Sequence, residues 1–311
     1  MKSDVHVFAP ASVANVACGF DTLGFAILRP GDEMIVRLSK KPGLTIKKIH
    51  GDQGKLPLEP EKNTAGVAAL ALLEHLGFQG GIEMEIIKGI PIGSGLGSSA
   101  CSAVAGAVAV NELLDRPLTK KELLPFALKG EALASGGAIH ADNVGPCLLG
   151  GMVLIRSNQD MDTVKIPVPE DLYVAVVLPE LEILTVDARN ILRKEIPLTD
   201  AITQWGNLGG MVAGFMKSDY ELIGRSFEDV IAEPYRASLI PDFYKVKTAA
   251  MEAGALGCSI SGAGPAMFAL CKGDEVAFKV GIAMQQAFFR AGVGSERYIS
   301  TINTLGAERI R

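Results

Sequence analysis

The chain reads as an α+β protein of two domains, and three features of its 311 residues carry that reading. Stretches with two-residue alternation and stretches with helical spacing are mixed irregularly along the whole length. A glycine-rich loop separates one such strand from one such helix after residue 88. The length exceeds what a single core usually serves, so two domains are expected, 1–160 and 161–311, with the junction between about 155 and 172.

A strand is expected at Val5 to Phe8, then a turn-rich stretch, PASVANVACGFDTLGF, then strands at Glu33 to Leu38 and Leu44 to Ile49. Asn63 to Leu76 reads as a helix, because Val67, Leu70, Ala71 and Leu73 recur at helical spacing and Gly77 stops it. Ile82-Glu83-Met84-Glu85-Ile86 alternates strictly, so it is a half-buried strand. The loop GIPIGSGLGSSA then leads into a helix of small residues ending near Leu114, and another helix covers Lys120 to Ala134. In the second half YVAVVLP is a buried-strand pattern. Helices are expected at Thr185 to Arg193, Ile202 to Met216, Tyr244 to Ala253 and Val276 to Ala291. CSISGAGPAMFALC reads as two strands around a glycine turn, and a last strand falls at Tyr298 to Thr304.

Composition narrows the function. The net charge is −5 and no Lys/Arg-rich run is present, which argues against nucleic acid or an anionic membrane as partner. The five cysteines, Cys18, Cys101, Cys147, Cys258 and Cys271, include no C-x-x-C pair, so reduced thiols are expected rather than disulfides or structural zinc. Asp4 and His6 stand where a signal peptide needs apolar residues. The longest apolar run, Ala103 to Val110, is far short of the roughly 18 residues of a membrane span. A soluble cytoplasmic protein is the expectation.

Glycine is frequent, 35 of 311 residues, against a usual share of about 7%. In Gly93-Ser94-Gly95-Leu96-Gly97-Ser98-Ser99 the glycines allow positive φ and let successive N–H groups approach a ligand. The following helix points unpaired N–H groups and its positive dipole end to the same place, so anionic oxygens are the natural occupant. A purely structural strand-to-helix turn is the alternative. A Walker A loop is excluded because no lysine follows the glycines. A Rossmann fingerprint fits only in its looser form, with Ala100 last, which leaves NAD a weak rival. No HRD or DFG of the protein kinases occurs.

The full string Pro91-Ile92-Gly93-Ser94-Gly95-Leu96-Gly97-Ser98-Ser99-Ala100 resembles the ATP loop of the galactokinase, homoserine kinase, mevalonate kinase and phosphomevalonate kinase (GHMP) superfamily. PASVANVACGFDTLG (Pro10 to Gly24) and SISGAGPA (Ser259 to Ala266) resemble its N-terminal and C-terminal motifs, in the same order. HADNVGPCLLGG (His140 to Gly151), with arginines in LTVDARNIL and EPYRASLIP, is similar to the homoserine kinase branch. The resemblance implies ATP-dependent phosphorylation of the hydroxyl of L-homoserine, with magnesium, toward threonine. It also implies a homodimer, an N-terminal ATP domain resembling ribosomal protein S5, and a ferredoxin-like C-terminal half.

Site residues follow from the same matches. Pro91 to Ala100, with Cys101, would hold ATP, and Asn63 would meet the adenine, although as a helix N-cap it has a plain structural role too. Glu131 with Ser98 or Ser99 would hold magnesium, which needs hard oxygen ligands; Ser99 is the first choice. Asn15 and Asp21 would meet the substrate, Asp21 through its ammonium; turn-forming is their ordinary alternative. His140 and Asn143, after the glycine-bearing SGGAI, are implied substrate contacts, with Asn143 near the reacting hydroxyl and Asp142 orienting the loop. Arg189 and Arg236 supply planar forks for a carboxylate or the transferring phosphoryl group. Asn143 cannot accept a proton at neutral pH, so direct attack by the hydroxyl, with Asn143 and Arg189 as the catalytic pair, is the expected mechanism. Asp21 or Asp142 as base is its competitor. A non-catalytic ligand sensor and a dinucleotide-dependent oxidoreductase are the readings from other classes.

Overall fold

Two sheets carry the chain in a computed structural model that describes residues 4–115, 118–134, 136 and 140–311. In the first, β1 (Asp4–Ala14) and β2 (Leu23–Ser39) pair antiparallel from Asp4↔Arg37 to Ala14↔Gly24. β4 (Gly81–Ile87) pairs the far half of β2, and β3 (Gly43–His50) runs parallel to β4. A parallel pair needs a crossover, and α1 (Thr64–His75) supplies it. β5 (Met152–Ser157) pairs the start of β2, β6 (Asp162–Ile166) pairs β5, and β11 (Glu308–Arg309) closes the edge on β1. α2 (Ser98–Leu113) and α4 (Ala141–Leu149) pack on β1 and β2, and α3 (Lys120–Ala134) packs on α1 and α2.

The second sheet has the order β10-β7-β9-β8, with all neighbours antiparallel: β7 (Leu172–Pro179), β8 (Gly257–Ile260), β9 (Met267–Lys272) and β10 (Ser295–Thr301). Between β7 and β8 lie α5 (Thr185–Asn190), α6 (Leu198–Lys217), α7 (Tyr220–Arg225), α8 (Glu233–Arg236) and α9 (Phe243–Glu252). α10 (Asp274–Arg290) joins β9 to β10. That is the expected ferredoxin-like β-α-β-β-α-β arrangement. β7 is apolar throughout because both its faces are buried. Val174, Val176 and Leu178 join the core shared with the first sheet, while Ala175 and Val177 face the core built with α9 and α10.

Several elements differ from expectation. β1 continues through Ala14, where a turn-rich stretch was expected; Pro10 falls at a register shift, where the missing N–H costs no ladder bond. Only residues 15–22 form the turn. The His140 segment is a helix, α4, in which Pro146 leaves the Asp142 carbonyl without its usual helical donor. β5, β6, α7 and β11 were not foreseen. The β5–β6 hairpin spans the expected 160/161 division, and the second sheet begins at Leu172. The SGGAI stretch lies mostly outside the described residues. No helix among the described residues is long and apolar enough to cross a membrane.

Candidate active site

A cleft of about 300 Å³ lies between the β4–α2 loop, the 15–22 turn, the start of α4, α5 and the 262–264 turn between β8 and β9. Gly93, Gly95 and Gly97 all have positive φ (69°, 79° and 68°), alternating with Ser94 and Leu96. At two of them a side chain has no room. A Cβ on Gly95 would come within 2.6 Å of Ser261 O and 2.7 Å of Gly264 O; one on Gly97 would lie 2.2 Å from Ser12 Oγ and 2.8 Å from Asn143 Oδ1. The C-terminal glycine motif grips the loop: Ser261 Oγ donates to Gly95 O (2.7 Å) and Ala266 N to Ser94 O (3.1 Å), and Ile183 N, between β7 and α5, donates to Gly93 O (3.3 Å). Gly97 is the N-cap of α2 and offers no side chain, so the first N–H groups of that helix remain for a ligand. Backbone donors and a dipole end thus meet in one concave place, which fits the phosphates of ATP.

The two serines divide. Ser98 Oγ donates to Ile90 O (3.0 Å), so it braces the loop. Ser99 lines the cleft, and its Oγ makes no protein hydrogen bond among the described residues. Glu131, buried at the end of α3, lines the same cleft. One hydroxyl and one carboxylate oxygen suit magnesium, which takes few protein ligands and keeps the rest for phosphate and water.

Charges gather at the other end. Arg189 Nη2 donates to both Asp21 oxygens, and its Nε is buried without a hydrogen-bond partner among the described residues. Arg236 is buried; its Nε donates to Ala188 O (3.1 Å), its Nη1 to Gly262 O (2.8 Å), and its guanidinium lies 5.1 Å from the Phe20 ring centre. Burial lowers its pKa, which marks a desolvated cation. Asn15 holds this corner: its Nδ2 donates to Gly262 O (2.9 Å), and its Oδ1 accepts from Asp21 N (2.8 Å).

The first turn of α4 brings His140, Asp142 and Asn143 to the cleft. Burial pushes the His140 imidazole down, but the Glu131 carboxylate 3.3 Å away and the Asp142 charge outweigh it, so its pKa is raised. Asp142 is pushed up to about 6, first by burial and then by the Asp21 charge, against the pull of His140 and the Asn15 N–H. Asn143 Oδ1 accepts from Ser12 Oγ (2.9 Å), which leaves the amide Nδ2 as its group for the cleft.

The cleft thus unites Asn15, Asp21, Ile92, Gly93, Ser94, Gly95, Gly97, Ser98, Ser99, Glu131, His140, Asn143, Arg189 and Arg236. Five expected residues stand outside its lining. Asn63 is spent as the cap of α1, accepting from Ala65 N and Gly66 N and donating to Pro57 O, and Thr64 lines the cleft instead. Leu96, Ala100 and Cys101 turn their side chains into the core, where Cys101 Sγ donates to Ala9 O. Pro91 faces a smaller cavity beside Leu178 and Glu180. Sequence reasoning missed Ser12, Lys88 and Asp32. Ser12 stood inside the quoted N-terminal motif; Lys88 carried only its position between strand and loop.

Family models for the GHMP kinases match the chain twice, the N-terminal domain at residues 63–151 and the C-terminal domain at 211–290. A homoserine kinase of Chlorobium phaeobacteroides is 50% identical over 97% of this chain and 98% of its own length. One from Xylella fastidiosa is 43% identical over 97% and 92%. Among solved structures, the homoserine kinase of Cytophaga hutchinsonii superposes with a TM-score of 0.97 at 55% identity, covering 100% of this chain and 98% of that one. The mevalonate kinase of L. major, at 19% identity, TM-score 0.74 and 97% and 98% coverage, shares the fold.

Proposed function

The chain belongs to the GHMP kinases, in their homoserine kinase branch, and on that footing we propose that it transfers the γ-phosphoryl group of ATP to the side-chain hydroxyl of L-homoserine, a step toward threonine. One observation carries the reading beyond the family. A glycine cradle for phosphates and an Asp–Arg pair matched to a zwitterion line the same cleft.

Phosphoryl transfer asks chiefly for positioning and for positive charge where negative charge develops. The loop and the α2 N-terminus hold the phosphates. Asp21 takes the substrate ammonium, and Arg189 and Arg236 take the carboxylate and the transferring group. Ser12 fixes the Asn143 amide so that its Nδ2 donates toward the reacting oxygens. Ser99 and the Glu131 carboxylate would hold magnesium, which would supply charge neutralisation on the phosphates. Asn143 has no basic group, so the hydroxyl attacks directly and its proton leaves late, to phosphate or solvent. Asp21, bound by both oxygens to Arg189, is poorly placed as a base, which leaves Asp142 as the competitor.

The reading extends to a cytoplasmic homodimer. All five thiols are free and buried, which suits a reducing compartment, and the exposed Leu198, Ile202 and Trp205 give α6 an apolar stripe for a second copy. ADP release on mixing the protein, ATP and magnesium should appear only when L-homoserine is added. ADP release indifferent to homoserine would overturn the substrate assignment; no ADP release at all would favour the sensor reading, and NADH binding with no ADP release the oxidoreductase reading.

A further inference from the structure

We propose that Asp32 and Lys88 form a buried clamp that sets the two ends of the phosphate loop, so that both act as positioning residues for ATP. The proposal rests on the assignment of the β4–α2 loop and the α2 N-terminus to the nucleotide phosphates.

Asp32, on β2, is completely buried. Its Oδ1 accepts from Gly89 N (3.0 Å) and Ile90 N (3.2 Å), the entry to the loop. Its Oδ2 accepts from Lys88 Nζ and from Ser102 Oγ (2.8 Å), the latter on the first turns of α2. Lys88 Nζ bridges the same two ends, donating also to Ser98 O (3.0 Å) and Ser102 Oγ (2.8 Å). Ser98 Oγ adds a third tie to Ile90 O. One carboxylate and one ammonium therefore rivet residues 88–90 to residues 98–102, and the phosphate loop is what lies between.

Three physical points give the clamp a role beyond cohesion. The loop's three positive-φ glycines impose little conformational restraint of their own, so its shape depends on how its ends are fixed. Lys88 lines the cleft, yet its three N–H donors are all spent on Asp32, Ser98 and Ser102. It has no donor left for a phosphate and acts through the loop. A buried ion pair is moreover a poor source of stability, since well-packed apolar side chains of similar volume often serve as well or better.

The test compares ATP affinity by calorimetry, homoserine KM at saturating ATP, and Tm in wild type, Lys88→Met, Asp32→Asn, the double variant and Ser102→Ala. Each single variant of the pair strands a charge in the core and should lose both Tm and ATP affinity. The double variant strands none and should regain most of the Tm while still binding ATP about 10-fold or more weakly, with homoserine KM within about 3-fold of wild type. Ser102→Ala, which removes one hydroxyl, should keep nearly the wild-type Tm and weaken ATP binding by about 3- to 10-fold. A double variant that recovers wild-type ATP affinity together with its Tm would reduce the clamp to a core ion pair and overturn the proposal. So would Ser102→Ala with unchanged ATP affinity, which keeps the question decidable should the charge variants not fold. A wild-type protein that binds no ATP would fail at the loop assignment itself, a separate result.

Discussion

Arg189 Nη2 lies 2.9 and 3.0 Å from the two carboxylate oxygens of Asp21, two groups 168 residues apart in the chain. Each is the counter-charge that one end of a homoserine zwitterion requires. With both side chains more than a third exposed, the pair itself adds little to stability, at most about 1 kcal/mol. Asp21→Asn should therefore leave Tm nearly unchanged. It should raise KM for homoserine by about 10- to 150-fold, the worth of one charge-assisted hydrogen bond, and leave KM for ATP within a few-fold. Steady-state kinetics with each substrate varied in turn checks this, and a change confined to ATP would place the amino-acid pocket elsewhere.

The serines of the loop should separate by role. Ser99→Ala removes a hydroxyl with no protein partner among the described residues from a residue of the cleft. It should lower kcat on the order of 100-fold while weakening ATP binding much less, because charge moves onto the phosphates only in the transition state. Ser98→Ala removes a brace to Ile90 O. It should cost about 1 kcal/mol of stability and little kcat at saturating ATP. Measuring kcat, ATP affinity and Tm for both variants decides; the reverse pattern would give magnesium to Ser98.

Gly97→Ala should cost kcat at least about 100-fold, the penalty of a small misplacement at a reacting centre. The added Cβ is strained at φ 68° and strikes the Ser12–Asn143 pair. Near-wild-type kcat in a folded Gly97→Ala protein would remove Asn143 from the chemistry.

Asp142 gives a pH signature. Its pKa is about 6 in the folded protein against an ordinary 3.8, so folding takes up a proton between those values, and stability falls as pH rises through that window. Asp142→Asn should leave Tm unchanged near pH 3 and raise it at pH 8, by up to roughly 2–3 kcal/mol of stability. In the proposed base-free mechanism, the chemical step should show no acid limb near pH 6 that disappears in Asp142→Asn. A limb that vanished in that variant would make Asp142 the base.

The legible parts of this molecule were those whose physics is local. The alternation from Ile82 to Ile86, the small-residue helix α2 and the positive-φ glycines announce themselves within a few residues, and from them the proposed phosphate cradle follows. α4 was hidden because Gly145 and Pro146 sit inside a nine-residue helix and are helix breakers by any local rule. The Ser12–Asn143 bond spans 131 positions and the Asp32–Lys88 pair 56, distances over which no periodicity signals contact. Side-chain direction was equally hidden. Nothing in GSGLGSSAC tells that Leu96, Ala100 and Cys101 face the core while Ser99 lines the cleft.

Phosphorus-31 NMR of the protein with ATP, magnesium and one candidate alcohol at a time tests the central claim most directly. With L-homoserine the γ-phosphate signal of ATP should give way to a phosphate monoester bonded to the homoserine side chain, in step with ADP. Mevalonate, galactose and shikimate should give none, and 3-aminopropanol, which lacks the carboxylate for the arginines, should react poorly. Inorganic phosphate as the only product, or a monoester formed as readily on 3-aminopropanol or mevalonate, would contradict the account.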